Sequence, residues 1–233
     1  MHWFYDPNSS ARSEQLPEAE VRHLASLRVR PGDKIVITNG KGDASVFELL
    51  DPKSGSLRFV DTPPINQPAV KFHLVQALAK GDRDEMALQA AVELGIASAT
   101  PWQAEHSVAN WRGKEERARG RWQQIAVSAM KQSQQAILAE VGALATTGEL
   151  KPKGQGILLI PNAPRSIVSA PVEAKEFTIV VGPEGGITDS ERSALEEAGF
   201  VSYRLGSSVL RTSSAGPAAI AALSALSGAW SVE

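Results

Sequence analysis

Residues 180–191, Val-Val-Gly-Pro-Glu-Gly-Gly-Ile-Thr-Asp-Ser-Glu, carry a β-branched run into a glycine-rich loop and out into a capped helix. Phe177 to Val181 has the aromatic and β-branched content of a buried strand. Thr188 and Glu191 stand at the Thr-x-x-Glu spacing of a capping box, in which each side chain satisfies a backbone N–H of the first helical turn. Gly199 is placed to end that helix as its C′ residue. Gly182, Gly185 and Gly186 remove side chains where the chain turns sharply, so a small ligand can touch the main chain. Taken alone, such a loop is as readily an ordinary strand-to-helix turn.

A second stretch, Tyr203 to Gly216 (YRLGSSVLRTSSAG), repeats the arrangement, with Arg211 as a single cation among small residues and hydroxyls. The Ala-rich run from Ala215 to Ala229 predicts a closing helix with Pro217 in its first turn, where a missing N–H is tolerated. Ser213 and Ser214 are its candidate caps. Both loops should therefore lie at the carboxyl ends of strands, where open α/β sheets bind ligands.

The alternation continues upstream. Phe72 to Leu78 and Ile96 to Trp102 read as strands flanking a helix from Asp84 to Leu94 that Gly95 ends. A longer helix runs from about Lys114 to Gln134, with an apolar stripe of Trp122, Ile125, Ala126, Ala129 and Met130 read as core or dimer contact, and a further strand covers Gly156 to Ile160. Strand and helix in turn predict a mostly parallel sheet. Ahead of it, Pro17 to Leu27 reads as a short helix with Val21, Leu24 and Leu27 at helical spacing. Lys34 to Thr38, Ala44 to Leu50 and Ser56 to Val60 read as strands too short for a parallel sheet, the first two joined through a hairpin connection at Asn39 to Asp43. The proline-rich segment Asp61 to Pro68 divides the chain into domains 1–67 and 68–233.

A net charge of −2 over 233 residues excludes a general nucleic-acid coat protein, so any RNA contact must be local. Arg22, Arg28, Arg30 and Lys34 form one basic cluster; Arg112, Lys114, Arg117, Arg119 and Arg121 form another, which Glu115 and Glu116 balance and which also reads as a solvated helix face. The absence of cysteine excludes disulfides, Cys-ligated zinc and a thiol nucleophile, and no metal site is expected. No apolar run approaches the ~20 residues of a membrane span and the N-terminus lacks a signal-peptide pattern, so the cytoplasm is the expected location.

The VGPEGG loop with its acidic capped helix, and the LGSSVLRT segment with the small residues after it, resemble the paired C-terminal motifs of the RsmE-type ribosomal RNA methyltransferases of the SPOUT superfamily. HLASLRVRPGD from His23, LAKGDRDEMALQAAVELG from Leu78 and AVSAMKQS from Ala126 follow that family's order, so the resemblance covers nearly the whole chain. It implies a uridine N3-methyltransferase of small-subunit (16S) ribosomal RNA that uses S-adenosylmethionine; the Trp122 to Met130 stripe and the small side chains of the Ala-rich last helix point to a homodimer. The implied fold is α/β, with a small N-terminal PUA-like β-barrel domain for RNA and a C-terminal knotted SPOUT domain. Two other readings stay open: a SPOUT methyltransferase with another RNA target, and a non-catalytic assembly factor.

By the same resemblance the cofactor is held at Leu159, Ile160, Pro161 and Asn162; at Gly182, Pro183, Glu184, Gly185, Gly186 and Ile187; and at Leu205, Gly206, Ser207, Ser208, Val209 and Leu210, with Ile160, Ile187 and Leu210 around the adenine. Arg22, Arg28, Arg30, Lys80 and Arg83 are the implied RNA contacts. Arg211 is the candidate catalytic residue. Loss of the uracil N3 proton spreads negative charge onto the flanking carbonyl oxygens, and a permanently charged, planar guanidinium can meet it with two donors; a salt bridge under the last helix is its structural alternative. No general base stands out, since none of the four histidines has a recruiting neighbour in sequence and His106 stands where the family carries arginine. Ser208, Ser213, Gln134 and Gln135 also depart from the family pattern, the glutamines removing positive charge from their loop.

Overall fold

His2–Tyr5 form a strand (β1) that the sequence patterns pass over, and it pairs in parallel with the next strand. The computed structural model describes residues 1–65 and 67–231. After β1 come α1 (Glu18–Leu24), β2 (Lys34–Thr38), β3 (Ala44–Asp51) and β4 (Ser56–Asp61), and the four strands lie in the order β1-β2-β3-β4. The three strands read from the sequence pair antiparallel, and the parallel pair in this sheet is made by β1, for which no strand was expected. Four residues suffice because the connection through α1 is long enough to bring the chain back in the same direction. The β2, β3 and β4 pairings are antiparallel.

Helix α1 is shorter than its apolar spacing predicts. The Ser26 hydroxyl and the Ser26 N–H both bond to the His23 carbonyl, which a longer helix would offer to Leu27. The spacing itself is correct: Leu24 is buried among Phe4, Leu16, Ile35, Ile37, Phe47, Leu49 and Leu57, with Val21 and Leu27 packed at the edge. This unit also takes in Val127–Leu138. Ala136 is buried with Val36, Ala44 and Val46, its carbonyl accepts from the Thr38 hydroxyl at 2.9 Å, and Lys131 pairs with Glu20 at 2.8 Å.

The second unit comprises Pro68–Ala126 and Ala139–Glu233. Its elements are β5 (Lys71–Ala77), α2 (Arg83–Glu93), β6 (Ser98–Trp102), α3 (Glu115–Gln132, whose last turns belong to the first unit), β7 (Glu140–Val141), β8 (Gln155–Leu159), β9 (Arg165–Ser166), β10 (Glu176–Val181), α4 (Asp189–Glu197), β11 (Phe200–Arg204) and α5 (Thr212–Leu226). The strands form one sheet in the order β7-β6-β5-β10-β8-β11-β9, and every pairing is parallel. Leu74, Ile157 and Ile179 of its central strands have no exposed surface and Phe72 stacks on Phe177, as expected for a sheet covered on both faces.

Two expectations change here. Helix α5 starts at Thr212 rather than Ala215, so Pro217 lies in the second turn and removes the bond that its N–H would make to the Ser213 carbonyl. Burial of Ala219, Ile220 and Leu223 on the sheet offsets that loss. Ser213 and Ser214 consequently sit inside the first turn, and the N-cap position belongs to Arg211, which makes no capping hydrogen bond. The Trp122 stripe is core: Trp122, Ala126, Ala129 and Met130 are buried within the chain, Trp122 edge-on to Trp111 at 5.3 Å, which leaves them no surface for a partner.

Candidate functional site

Because β8, β10 and β11 run parallel, their following loops emerge at the same edge of the sheet, and together they line a cavity of about 400 Å³. Leu159, Ile160 and Pro161 come from the first loop, Val181 to Glu184 with Gly186 and Ile187 from the second, and Leu205 with Ser208 to Thr212 from the third. Ile160, Ile187 and Leu210, expected around an adenine, all reach the wall. Asn162, Gly185, Gly206 and Ser207 do not line it. Tyr203 and Ala215 do, and neither was expected. The signal for Tyr203 is its place as the last buried aromatic before the loop.

The glycines act differently from one another. A Cβ on Gly182 would stand 2.6 Å from Cγ1 of Ile187, so the loop closes on itself only without a side chain there. Gly186 has φ of +79° and a Cβ on it would meet nothing within 4 Å, which leaves main chain open to a ligand. Gly185 faces outward against His106, whose Nδ1–H donates to the Gly185 carbonyl at 2.9 Å.

Helix α4 fastens this loop from behind. The capping box forms as the spacing predicts, the Glu191 N–H bonding to the Thr188 hydroxyl at 3.2 Å while Glu191 Oε2 accepts from the Thr188 N–H. The buried Glu191 carboxylate also accepts from the Glu105 N–H at 2.9 Å and from the Thr147 hydroxyl at 3.1 Å. Sequence spacing shows the first of these roles but carries no trace of the second.

Arg83, expected among RNA contacts, lines the cavity and pairs with Glu184 at 2.7 Å. Burial alone would raise the Glu184 pKa, yet the Arg83 hydrogen bond, together with the Lys80 backbone N–H, holds it below the ordinary carboxylate range. Lys80 is exposed on the turn before α2, and Arg22, Arg28 and Arg30 are exposed on the N-terminal unit. Arg211 lies exposed at the cavity wall, and no ion pair, including the salt bridge considered as its alternative, holds it among the described residues. No group of metal-ligating side chains occurs among the described residues. The arrangement suits a small molecule with one flat apolar part, held by main chain and presented to the Arg211 guanidinium.

Comparison with known proteins agrees with this geometry. Residues 66–224 match the family model of an RNA methyltransferase domain, and residues 16–61 match that of an RNA methyltransferase PUA domain. The chain is 35% identical over 224 residues to ribosomal RNA small subunit methyltransferase E of Mycobacterium tuberculosis, covering 89% of this chain and 84% of the relative. It is 29% identical over 222 residues to the protein of the same name in Bacillus subtilis, covering 88% and 87%. The crystal structure of a ribosomal RNA small subunit methyltransferase E from Neisseria gonorrhoeae bound to S-adenosyl methionine superposes with a TM-score of 0.89 at 31% identity, covering 97% of this chain and 98% of the other. A methyltransferase from Legionella pneumophila in complex with the same cofactor gives 0.86 at 26% identity, covering 96% of each.

Proposed function

This chain belongs to the RNA methyltransferase family that includes ribosomal RNA small subunit methyltransferase E, and on that premise we propose that it methylates N3 of a uridine in 16S ribosomal RNA with S-adenosylmethionine as methyl donor. The observation that carries the reading is the cavity at the ends of β8, β10 and β11, with Arg211 at its wall and in no ion pair among the described residues. Its volume lies in the range of small-molecule sites, and the open main chain at Gly186 with the apolar Ile160, Ile187 and Leu210 fits a ligand with polar edges and a flat base. When bound, S-adenosylmethionine supplies an activated methyl on a sulfonium.

The residues of the chain supply position and charge. Ile160, Ile187 and Leu210 would enclose the adenine, and main-chain groups of the loops after β8, β10 and β11 would hold the polar parts. Arg211 donates to the uracil edge as the N3 proton leaves for bulk water, a stabilisation worth roughly 3 kcal/mol for one preorganised donor. Residues 1–67 form the RNA-gripping domain, through Arg22, Arg28 and Arg30, and Lys80 adds a contact from residues 68–233. The working form is a homodimer in the cytoplasm. What supports these last points is the half-exposed Ala-rich face of α5, with Leu226 and Trp230 exposed near its end, and the lack, among the described residues, of a helix long and apolar enough to cross a membrane.

The deciding experiment is in-vitro methylation of unmodified small subunits, followed by nucleoside mass mapping, beside calorimetry with S-adenosylmethionine. Saturable heat and N3-methyluridine are expected. Methylation at another atom or in another RNA would move the assignment within the superfamily, and no saturable heat would make the chain an assembly factor.

A further inference from the structure

Gln76 lies near the end of β5 in register with Val181 of β10, and none of its surface reaches solvent. Its Nε2 donates to the Thr212 hydroxyl at 2.9 Å and to the Ala77 carbonyl at 3.2 Å. The Thr212 hydroxyl in turn donates to the Gly182 carbonyl at 2.8 Å. A strand that contributes nothing to the cavity wall thus ties the first residue of α5 to Gly182, the first glycine of the VGPEGG loop.

Stability alone does not select this amide, because its two Nε2 bonds are offset by an unmet acceptor. Gln76 Oε1 is buried without a hydrogen-bond partner among the described residues, and an unmet buried acceptor is destabilising. A methionine would fill the same space without that penalty; it would give up the two Nε2 bonds, but the Thr212 hydroxyl would still have its acceptor at Gly182. Meanwhile α5 has no side-chain cap to define its start. Its seat is close: a Cβ on Gly216 would stand 3.0 Å from Cδ1 of Leu74 and 3.3 Å from Cγ2 of Val181, so the helix backbone lies against β5 and β10.

We infer that Gln76 is a positioning residue for the transfer: through Thr212 it sets where α5 leaves the loop, and so where the adjoining Arg211 stands relative to the cofactor. The inference rests on the reading that Arg211 acts on the uracil. It takes its force from the chain Gln76, Thr212, Gly182, whose three groups belong to β5, α5 and the loop after β10.

The test is Gln76→Met in the full chain, followed by melting temperature, S-adenosylmethionine affinity and single-turnover methylation of small subunits. A little-changed melting temperature, an unchanged cofactor affinity and a turnover lowered about tenfold are expected, because small misplacements of a catalytic group are costly. Thr212→Val should reproduce the loss and Thr212→Ser should restore the rate. In an Arg211→Ala background Gln76→Met should cost less than about twofold, since residues acting as one unit are not additive. Full activity of Gln76→Met, a loss of rate that tracks a loss of melting temperature, or an undiminished penalty in the Arg211→Ala background would each overturn the inference. If the wild type methylates a different atom, the functional reading fails, while the comparison of these variants on that atom still decides the role of Gln76.

Discussion

The two helices that leave the cavity begin in opposite ways. Helix α4 starts on a local device, Thr188 and Glu191 three residues apart, each satisfying the backbone of the other. Helix α5 starts without one: Arg211 occupies its N-cap position with no capping bond, and the hydroxyl of the next residue is engaged by Gly182 and Gln76. The first arrangement stabilises a helix wherever it is placed. The second fixes a helix only relative to two other elements, and that is what a site needs when one loop holds the cofactor and the other presents the charge.

The largest effect should come from the start of α5. Arg211→Ala is expected to lower turnover by about 10² or more as one preorganised donor is lost, with melting temperature and cofactor affinity little changed. Lysine should rescue only in part, keeping the charge and losing the two-donor geometry. A folded alanine variant with full activity would remove Arg211 from the chemistry.

Next comes the loop between β10 and α4. In Gly182→Ala the new methyl would press on Ile187, so the apolar wall must move, and overpacking of this kind should weaken S-adenosylmethionine binding about tenfold by calorimetry. Unchanged affinity would place the ligand elsewhere.

Smaller effects separate the two caps. Thr188→Ala should lower unfolding free energy by about 1 kcal/mol in denaturant titrations. Ser213→Ala and Ser214→Ala should each stay within about 0.5 kcal/mol, because neither residue caps α5. A cost at Ser213 equal to that at Thr188 would erase the contrast between the helices.

The smallest effect concerns Glu184, whose pair with Arg83 ties the turn before α2 to the PEGG loop. Its folded pKa is lowered, so the stability it contributes is fully present above the unfolded value of about 4.3 and is lost as pH falls through the lower folded value. Glu184→Gln should therefore differ from wild type by no more than about 1 kcal/mol at neutral pH, and the two melting curves should converge in acid. A difference that grows on acidification would have the wrong sign.

Much of the C-terminal sheet could be read from the chain. Strands β5, β8 and β10, the Thr188 cap and the stop at Gly199 follow from β-branched runs, a three-residue spacing and a glycine, and Gly199 adopts φ of +104°. The loops at Leu159 to Asn162, Gly182 to Ile187 and Leu205 to Leu210 were named through the family resemblance, and all of their residues but Asn162, Gly185, Gly206 and Ser207 line the cavity. What escaped was of another kind. β1, four residues long, carries no strand pattern until β2 lies beside it, and Val127–Leu138 is the tail of an amphipathic helix until Ala136 meets Val36 and Val46.

The sequence by itself determined the parallel α/β unit, because helix and strand periods, caps and glycines act over a few neighbouring residues and leave a repeating mark; its motifs marked the family and, through that resemblance, the three loops. Only the tertiary structure decided that Arg83 faces the cavity, that His106 braces Gly185, that α5 begins at Thr212 and that Gln76 holds it there. These depend on single hydrogen bonds and ion pairs between residues 79 to 136 positions apart. Such contacts have no period to read, and they exist only once the strands have brought the partners within 3 Å of each other.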